Sequence, residues 1–117
     1  MQENILVEKS KRFALKIINL CKGKNICGTP SVLINQLLRS GTSIGANIRE
    51  SIYAHGKADF IAKLQIALKE CSETEYWLEL LIESGYCEDK TILSDCTEIK
   101  KILVSSINTA KSNNEKK

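Results

Sequence analysis

Arg39, Ser43, Asn47 and Glu50 recur at spacings of four, four and three residues. On a helix that spacing puts them in one narrow arc. A planar guanidinium pairs with carboxylates through parallel hydrogen bonds. Glu70 and Glu73, three residues apart on the next periodic segment, are placed to receive Arg39. Ser43 and Asn47 are weak helix formers, because their side chains compete for backbone hydrogen bonds. Their use in place of Lys or Glu marks a position where hydrogen-bond geometry counts for more than propensity. The plain alternative for this arc is a solvated face.

Other chemistry finds little support. His55 is the only histidine, it stands beside Gly56, and no partner for a general base is evident. The five cysteines, Cys21, Cys27, Cys71, Cys87 and Cys96, include no CxxC pair. Zinc prefers a tetrahedral set of thiolates and imidazoles at short spacings, so no structural zinc site is expected. An odd cysteine count without a secretory leader points to free thiols, with Cys71 and Cys96 as small core residues. Cys27 and Cys87 fall near loops without a histidine to activate a thiolate. Glu70 and Glu73 lack the Glu-x-x-His pairing of di-iron bundles. No catalytic residue, metal or cofactor is expected, and the chain is read as a non-enzyme.

Four periodic segments must position these residues, and none reads as a strand. Leu6, Phe13, Ile17 and Cys21 share a face of a helix spanning about 4–22, with Ala14 and Ile18 beside them. Thr29-Pro30 opens a second helix, about 30–55, with Thr29 as N-cap and Gly56 as its stop. Its face holds Leu33, Leu37, Ile44, Ile48 and Ile52. The third, about 57–84, carries Phe60, Leu64, Ala67, Cys71, Leu78 and Ile82 and ends at Gly85. The fourth, about 89–110, carries Ile92, Cys96, Ile99, Leu103, Ile107 and Ala110, with Glu88 and Asp89 suited to its N-terminus. Residues 111–117 read as a frayed tail. Short links between long helices predict an all-α, antiparallel up-down-up-down four-helix bundle in one domain, 1–117. Gly41 and Gly45 lie on or beside the apolar arc of the second helix. Each costs roughly 1 kcal/mol against Ala, so a tight helix crossing is expected there.

The third helix is apolar on more than one side. Ile66, Trp77 and Leu80 fall roughly opposite Phe60, Leu64 and Leu78, with Tyr76 nearby. Contiguous apolar patches on soluble proteins mark contacts, so these four are candidates for a subunit interface. A core wide enough to wrap the helix is the alternative. Net charge is +3, and its distribution says more. Residues 1–28 hold six Lys/Arg against two acids, a net +4, whereas residues 57–87 hold three Lys against six acids, a net −3. The two segments can attract each other, or the basic one can meet phosphate. Lys9, Lys11, Arg12 and Lys16 are the candidates for nucleic-acid contact, although they are scattered around their helix. No apolar run approaches the roughly 20 residues that cross a bilayer, so no membrane partner is expected and a cytoplasmic location is.

The segment Arg39-Ser40-Gly41-Thr42-Ser43-Ile44-Gly45-Ala46-Asn47-Ile48-Arg49-Glu50 resembles the RSxxSIxxNIxE signature of four-helix-bundle proteins related to the 23S rRNA intervening-sequence protein, the S23 family. Phe60 to Leu78 resembles that family's second block. The resemblance covers nearly the whole chain. It implies a bacterial homopentamer of bundles around a central channel. It also implies kinship to the accessory protein of diversity-generating retroelements, which binds nucleic acid and a reverse transcriptase. Under it, Arg39, Ser43, Asn47, Glu50, Glu70 and Glu73 are the signature polar residues, either binding a ligand or locking subunits. The expected function is an oligomeric scaffold that binds RNA or DNA through its basic surface. The alternative is a scaffold that recruits another polypeptide without nucleic acid.

Overall fold

The computed structural model describes residues 2–22 and 28–115. Four helices follow in order: α1 Gln2–Leu20, α2 Ser31–Ile52, α3 Lys57–Glu83 and α4 Thr91–Glu115. Each packs against its neighbour in sequence, and α1 also packs against α4. The helices therefore stand at the corners of a square, in a molecule measuring 53 × 21 × 21 Å. Cross-links run in opposite directions along each seam. Arg39 of α2 meets Glu70 of α3 while Glu50 meets Lys63, and Gly41 faces Ile17 of α1 while Gly45 faces Ser10. The bundle is antiparallel and up-down-up-down, as its short links require.

The core is the sum of the apolar stripes. Leu6, Phe13 and Ile17 of α1 meet Leu37, Ile44 and Ile48 of α2, Leu64, Ala67, Cys71 and Leu78 of α3, and the whole predicted stripe of α4. Each fully buried large side chain contributes about 1.5–3 kcal/mol relative to exposure. Two stripe residues fall outside: Ile18 and Ile52 are exposed. The core also takes in polar members. Ser40 of α2 and Thr74 of α3 are buried and share a hydrogen bond of 2.8 Å, and Thr74 also donates to the Glu70 carbonyl at 2.8 Å. Small hydroxyl residues here let α2 and α3 approach without leaving a polar atom bare.

Gly41 and Gly45 make the α1–α2 crossing close. A Cβ on Gly41 would lie 3.0 Å from Cγ1 of the buried Ile17, and one on Gly45 would lie 3.3 Å from Oγ of Ser10. The crossing offsets the helix-propensity cost of both glycines.

Helix ends differ from expectation in instructive ways. Pro30, not Thr29, is the N-cap of α2, and its carbonyl accepts from the amides of Leu33 and Ile34. Thr29 stands one residue too early to cap. Its hydroxyl is buried and has no partner among the described residues. Gly56 does not stop α2, which ends at Ile52; it is the N-cap of α3, at φ +149. Asp59 reinforces that start by accepting the amide of His55 at 3.2 Å. Gly85 does end α3. At φ +88 it lets its own amide reach Ile82 and the amide of Tyr86 reach Leu81, the paired bonds of a Schellman turn. Glu88 and Asp89 precede α4 and are not part of it. Asp89 accepts the amide of Thr91 at 2.9 Å and its hydroxyl at 2.5 Å, and those bonds hold its carboxyl below the usual range. The segment expected to fray continues α4 to Glu115, since neither Gly nor Pro interrupts it. Gly23, which directly follows the expected end of the first helix, and Cys27 lie outside the described residues.

Candidate functional site

On the outer side of the α2–α3 seam, Arg39 reaches across to α3. Its Nη1 donates to Oε2 of Glu70 at 3.1 Å, its Nη2 donates to Oε2 of Glu73, and its Nε donates to Gln36 at 3.1 Å. Glu70 keeps only 15% of its side-chain surface, so this pair is shielded more than an ordinary surface ion pair. Trp77 joins through Nε1, which donates to Oε2 of Glu73 at 3.0 Å. One carboxylate oxygen thus binds a guanidinium and an indole. The remaining signature residues divide. Ser43 donates to the Arg39 carbonyl at 2.7 Å, and Asn47 donates to the Ser43 carbonyl at 2.9 Å. Glu50 pairs instead with Lys63 at 3.2 Å. The arc is therefore a cluster around Arg39 with a separate ion pair about three turns away along α2. Chemically it braces α2 against α3.

The four residues expected at a subunit interface are not equivalent. Ile66, Tyr76 and Leu80 are exposed, at 44%, 54% and 37%. Trp77 is half-buried against the core and tilted against the Tyr76 ring, with centroids 5.5 Å apart. Ile66 and Leu80 flank the Arg39 cluster by helical spacing, and Tyr76 lies beside Leu80 on the solvent side of α3.

The basic residues of α1 also divide. Lys9 pairs with Glu98 at 3.1 Å and Lys16 with Asp95 at 2.5 Å, both on α4. Lys11 and Arg12 are exposed and make no ion pair among the described residues. They line the mouth of a trough between α1 and α2, together with Arg49, which the sequence analysis did not single out. One part has a volume of about 270 Å³ and is lined by Ala14, Thr42, Gly45 and Ala46 as well as Lys11 and Arg49. An adjoining part of about 350 Å³ is lined by Arg12, Leu15 and Glu8 as well as Lys11 and Arg49. Small residues, three cations and one carboxylate line this surface together. Such a surface favours an anion with a flat or apolar portion. Spacing alone hid Arg49, because only the α1–α2 crossing brings it beside Lys11.

A second ionic brace closes the α3–α4 seam. Glu75 accepts from Lys100 at 2.9 Å and from the Thr97 hydroxyl at 3.0 Å. Burial alone would raise the Glu75 carboxyl, but these bonds and the Lys100 charge outweigh it and hold it below its ordinary value. The bond to Glu75 pushes Lys100 up in turn.

The amide of His55 serves Asp59, and burial raises the Cys87 thiol instead of activating it. Among the described residues no three His, Cys, Asp or Glu side chains converge into a metal-binding group. Among them, too, no helix is long and apolar enough to cross a membrane.

Comparison with known proteins matches this architecture. Among curated proteins no significant match is found. A crystal structure of a protein of unknown function from the S23 ribosomal protein family of Bacteroides thetaiotaomicron superposes with a TM-score of 0.86. It is 51% identical, over 92% of this chain and 99% of that one. The family model described as 23S rRNA-intervening sequence protein matches residues 2–105, and the chain belongs to that family.

Proposed function

We propose that this chain is a non-enzymatic scaffold of the cytoplasm that assembles with copies of itself, in a ring of five, and holds nucleic acid by its phosphate backbone. The observation that carries the nucleic-acid part is the α1–α2 trough, where Lys11, Arg12 and Arg49 stand together beside one carboxylate, Glu8, and make no ion pair among the described residues. Of the four α1 cations, Lys9 and Lys16 are neutralised by α4, so the contact shifts from all of α1 to this trough. Repetition in a ring multiplies the field of three cations, and phosphate affinity grows with the number of neutralised charges. The family name, which links its members to an intervening sequence of 23S rRNA, supports the same reading. Assembly is supported by the exposed Ile66, Tyr76 and Leu80 on the outer side of α3.

Titration of a labelled single-stranded RNA and a DNA duplex at about 50 and 200 mM salt tests the reading. Binding is expected at low salt, with little sequence preference and a steep loss at high salt. No binding to either at low salt overturns it. Light scattering on a sizing column tests assembly, and a monomer at micromolar concentration overturns the ring.

A second reading has its own observation. Tyr76, Glu79, Leu80 and Glu83 share one exposed stripe of α3, apolar and acidic together, suited to a polypeptide partner. Capture from native lysate with and without nuclease separates the two: a partner retained after nuclease favours this one.

A further inference from the structure

The bundle's core contains two thiols in contact. Cys71 of α3 and Cys96 of α4 are fully buried, with their Sγ atoms 3.7 Å apart. Their arrangement is reciprocal. Cys71 Sγ donates to the Cys96 carbonyl at 3.4 Å, and Cys96 Sγ donates to the Cys71 carbonyl at 3.4 Å. Each side chain therefore reaches the other's main chain, which happens only where two helices pass closely. A disulfide needs its sulfurs at about 2.05 Å. Rotation of the two short side chains is the movement that closes the remaining distance.

We propose that Cys71 and Cys96 form a site of oxidative modification, closing an intramolecular disulfide that ties α3 to α4. Two S–H bonds break and one S–S bond forms. The two protons and two electrons pass to a two-electron oxidant of the peroxide or diazene class, giving water or a hydrazine. The contact with Cys71, together with burial, disfavours the Cys96 thiolate, so attack by this sulfur is slow in the closed bundle. Reaction waits on a small oxidant or on a transient parting of the seam. The bond joins positions 25 apart, and closing a loop of that size removes freedom from the unfolded chain. The linked form then resists unfolding, with α3 and its outer face held in register with α4.

The test uses a chain in which Cys21, Cys27 and Cys87 are replaced by alanine, oxidised with diamide just below its thermal midpoint. Intact mass is expected to fall by the two hydrogens lost. N-ethylmaleimide in denaturant should then find no thiols, and dithiothreitol should restore both. The thermal midpoint should rise by roughly 5–15 °C. In the unsubstituted chain, digestion after lysine and glutamate separates Cys71 from Cys87 and should give the Cys71–Cys96 link. Two reactive thiols surviving that oxidation overturn the proposal. So does a bond that forms only between chains, or one that lowers the midpoint.

Discussion

The indole nitrogen of Trp77 donates to Oε2 of Glu73 at 3.0 Å, and the same oxygen receives the Arg39 guanidinium. One acidic side chain thus orients the only tryptophan and fastens α2 to α3. Replacing it, Glu73→Ala, is expected to shift Trp77 emission to longer wavelength. It should also cost about 1–2 kcal/mol in urea unfolding, the scale of a shielded charge-assisted bond. Arg39→Lys should lose part of that stability and leave the Trp77 emission in place, since an ammonium cannot bridge Glu70 and Glu73 as a fork does. Unchanged emission in Glu73→Ala would show that the bond does not hold the ring.

The two glycines of α2 should respond in opposite directions. Alanine at either gains roughly 1 kcal/mol of helix propensity. At Gly41 the new methyl presses on Ile17, which is stiff, β-branched and fully buried, so overpacking of about 1–3 kcal/mol outweighs the gain. At Gly45 the contact is looser, 3.3 Å from Ser10 Oγ, so a shift of a few tenths of an ångström relieves it. Thermal denaturation should place Gly41→Ala below the parent and Gly45→Ala at or above it.

Ser40 and Thr74 form a satisfied polar pair inside an apolar seam. Removing one hydroxyl leaves the other without that partner, and each of Ser40→Ala and Thr74→Val should cost about 1–2 kcal/mol. The double variant should recover much of that loss, because both groups are then apolar. A double variant no better than the sum of the singles contradicts the coupling.

Glu75 gives a pH signature. Its folded carboxyl sits below the ordinary value of 4.5 because Lys100 and Thr97 bond to it against the effect of burial. A depressed carboxyl adds stability that is fully present above the unfolded value and disappears as pH falls through the folded one. The stability gap between the parent chain and Glu75→Gln should therefore be about 1 kcal/mol at neutral pH. It should close as pH falls below the ordinary carboxylate value and through the depressed folded one. Urea unfolding at several pH values measures it; a gap that stays constant down to pH 2.5 counts against the brace.

Nucleic-acid binding, where titration finds it, should depend unequally on the basic residues. Arg49→Glu and Lys11→Glu should each weaken affinity and flatten its salt dependence by about one phosphate contact. Lys9→Gln should change it little, since Glu98 already neutralises Lys9. Equal losses from all three would mean that α1, and not the trough, is the binding surface.

Much of this structure is legible in the residues, for local reasons. Periodicity exposes the helices because each must bury one stripe, and α4 buries every residue of its predicted stripe. Arg39 is assigned to Glu70 and Glu73 because antiparallel neighbours bring the middles of α2 and α3 together. The tight crossing at Gly41 follows from a cost that needs an offset. What escapes notice depends on which helices become neighbours around the square. Arg49 joins Lys11 only through the α1–α2 crossing, and Lys9 and Lys16 lose their free charge only because α4 returns beside α1. Ser40 and Thr74 look like surface residues until both prove to face the same seam. Thr29 misleads because Pro30 is used as the cap, one position later than the common arrangement.

Of the four seams in the square, three join helices that follow one another along the chain, while the fourth joins the opposite ends of the polypeptide. That fourth seam, between α1 and α4, is the sparsest among the described residues, and its ionic links are the half-exposed pairs of Lys9 and Lys16. Bringing distant chain ends together carries the largest entropic penalty, and surface ion pairs weaken in salt. The molecule is thus a three-helix hairpin stack with a detachable stave. An event that prises the bundle apart at this seam frees α1 or α4, and lifting α1 also dismantles the groove that it shares with α2.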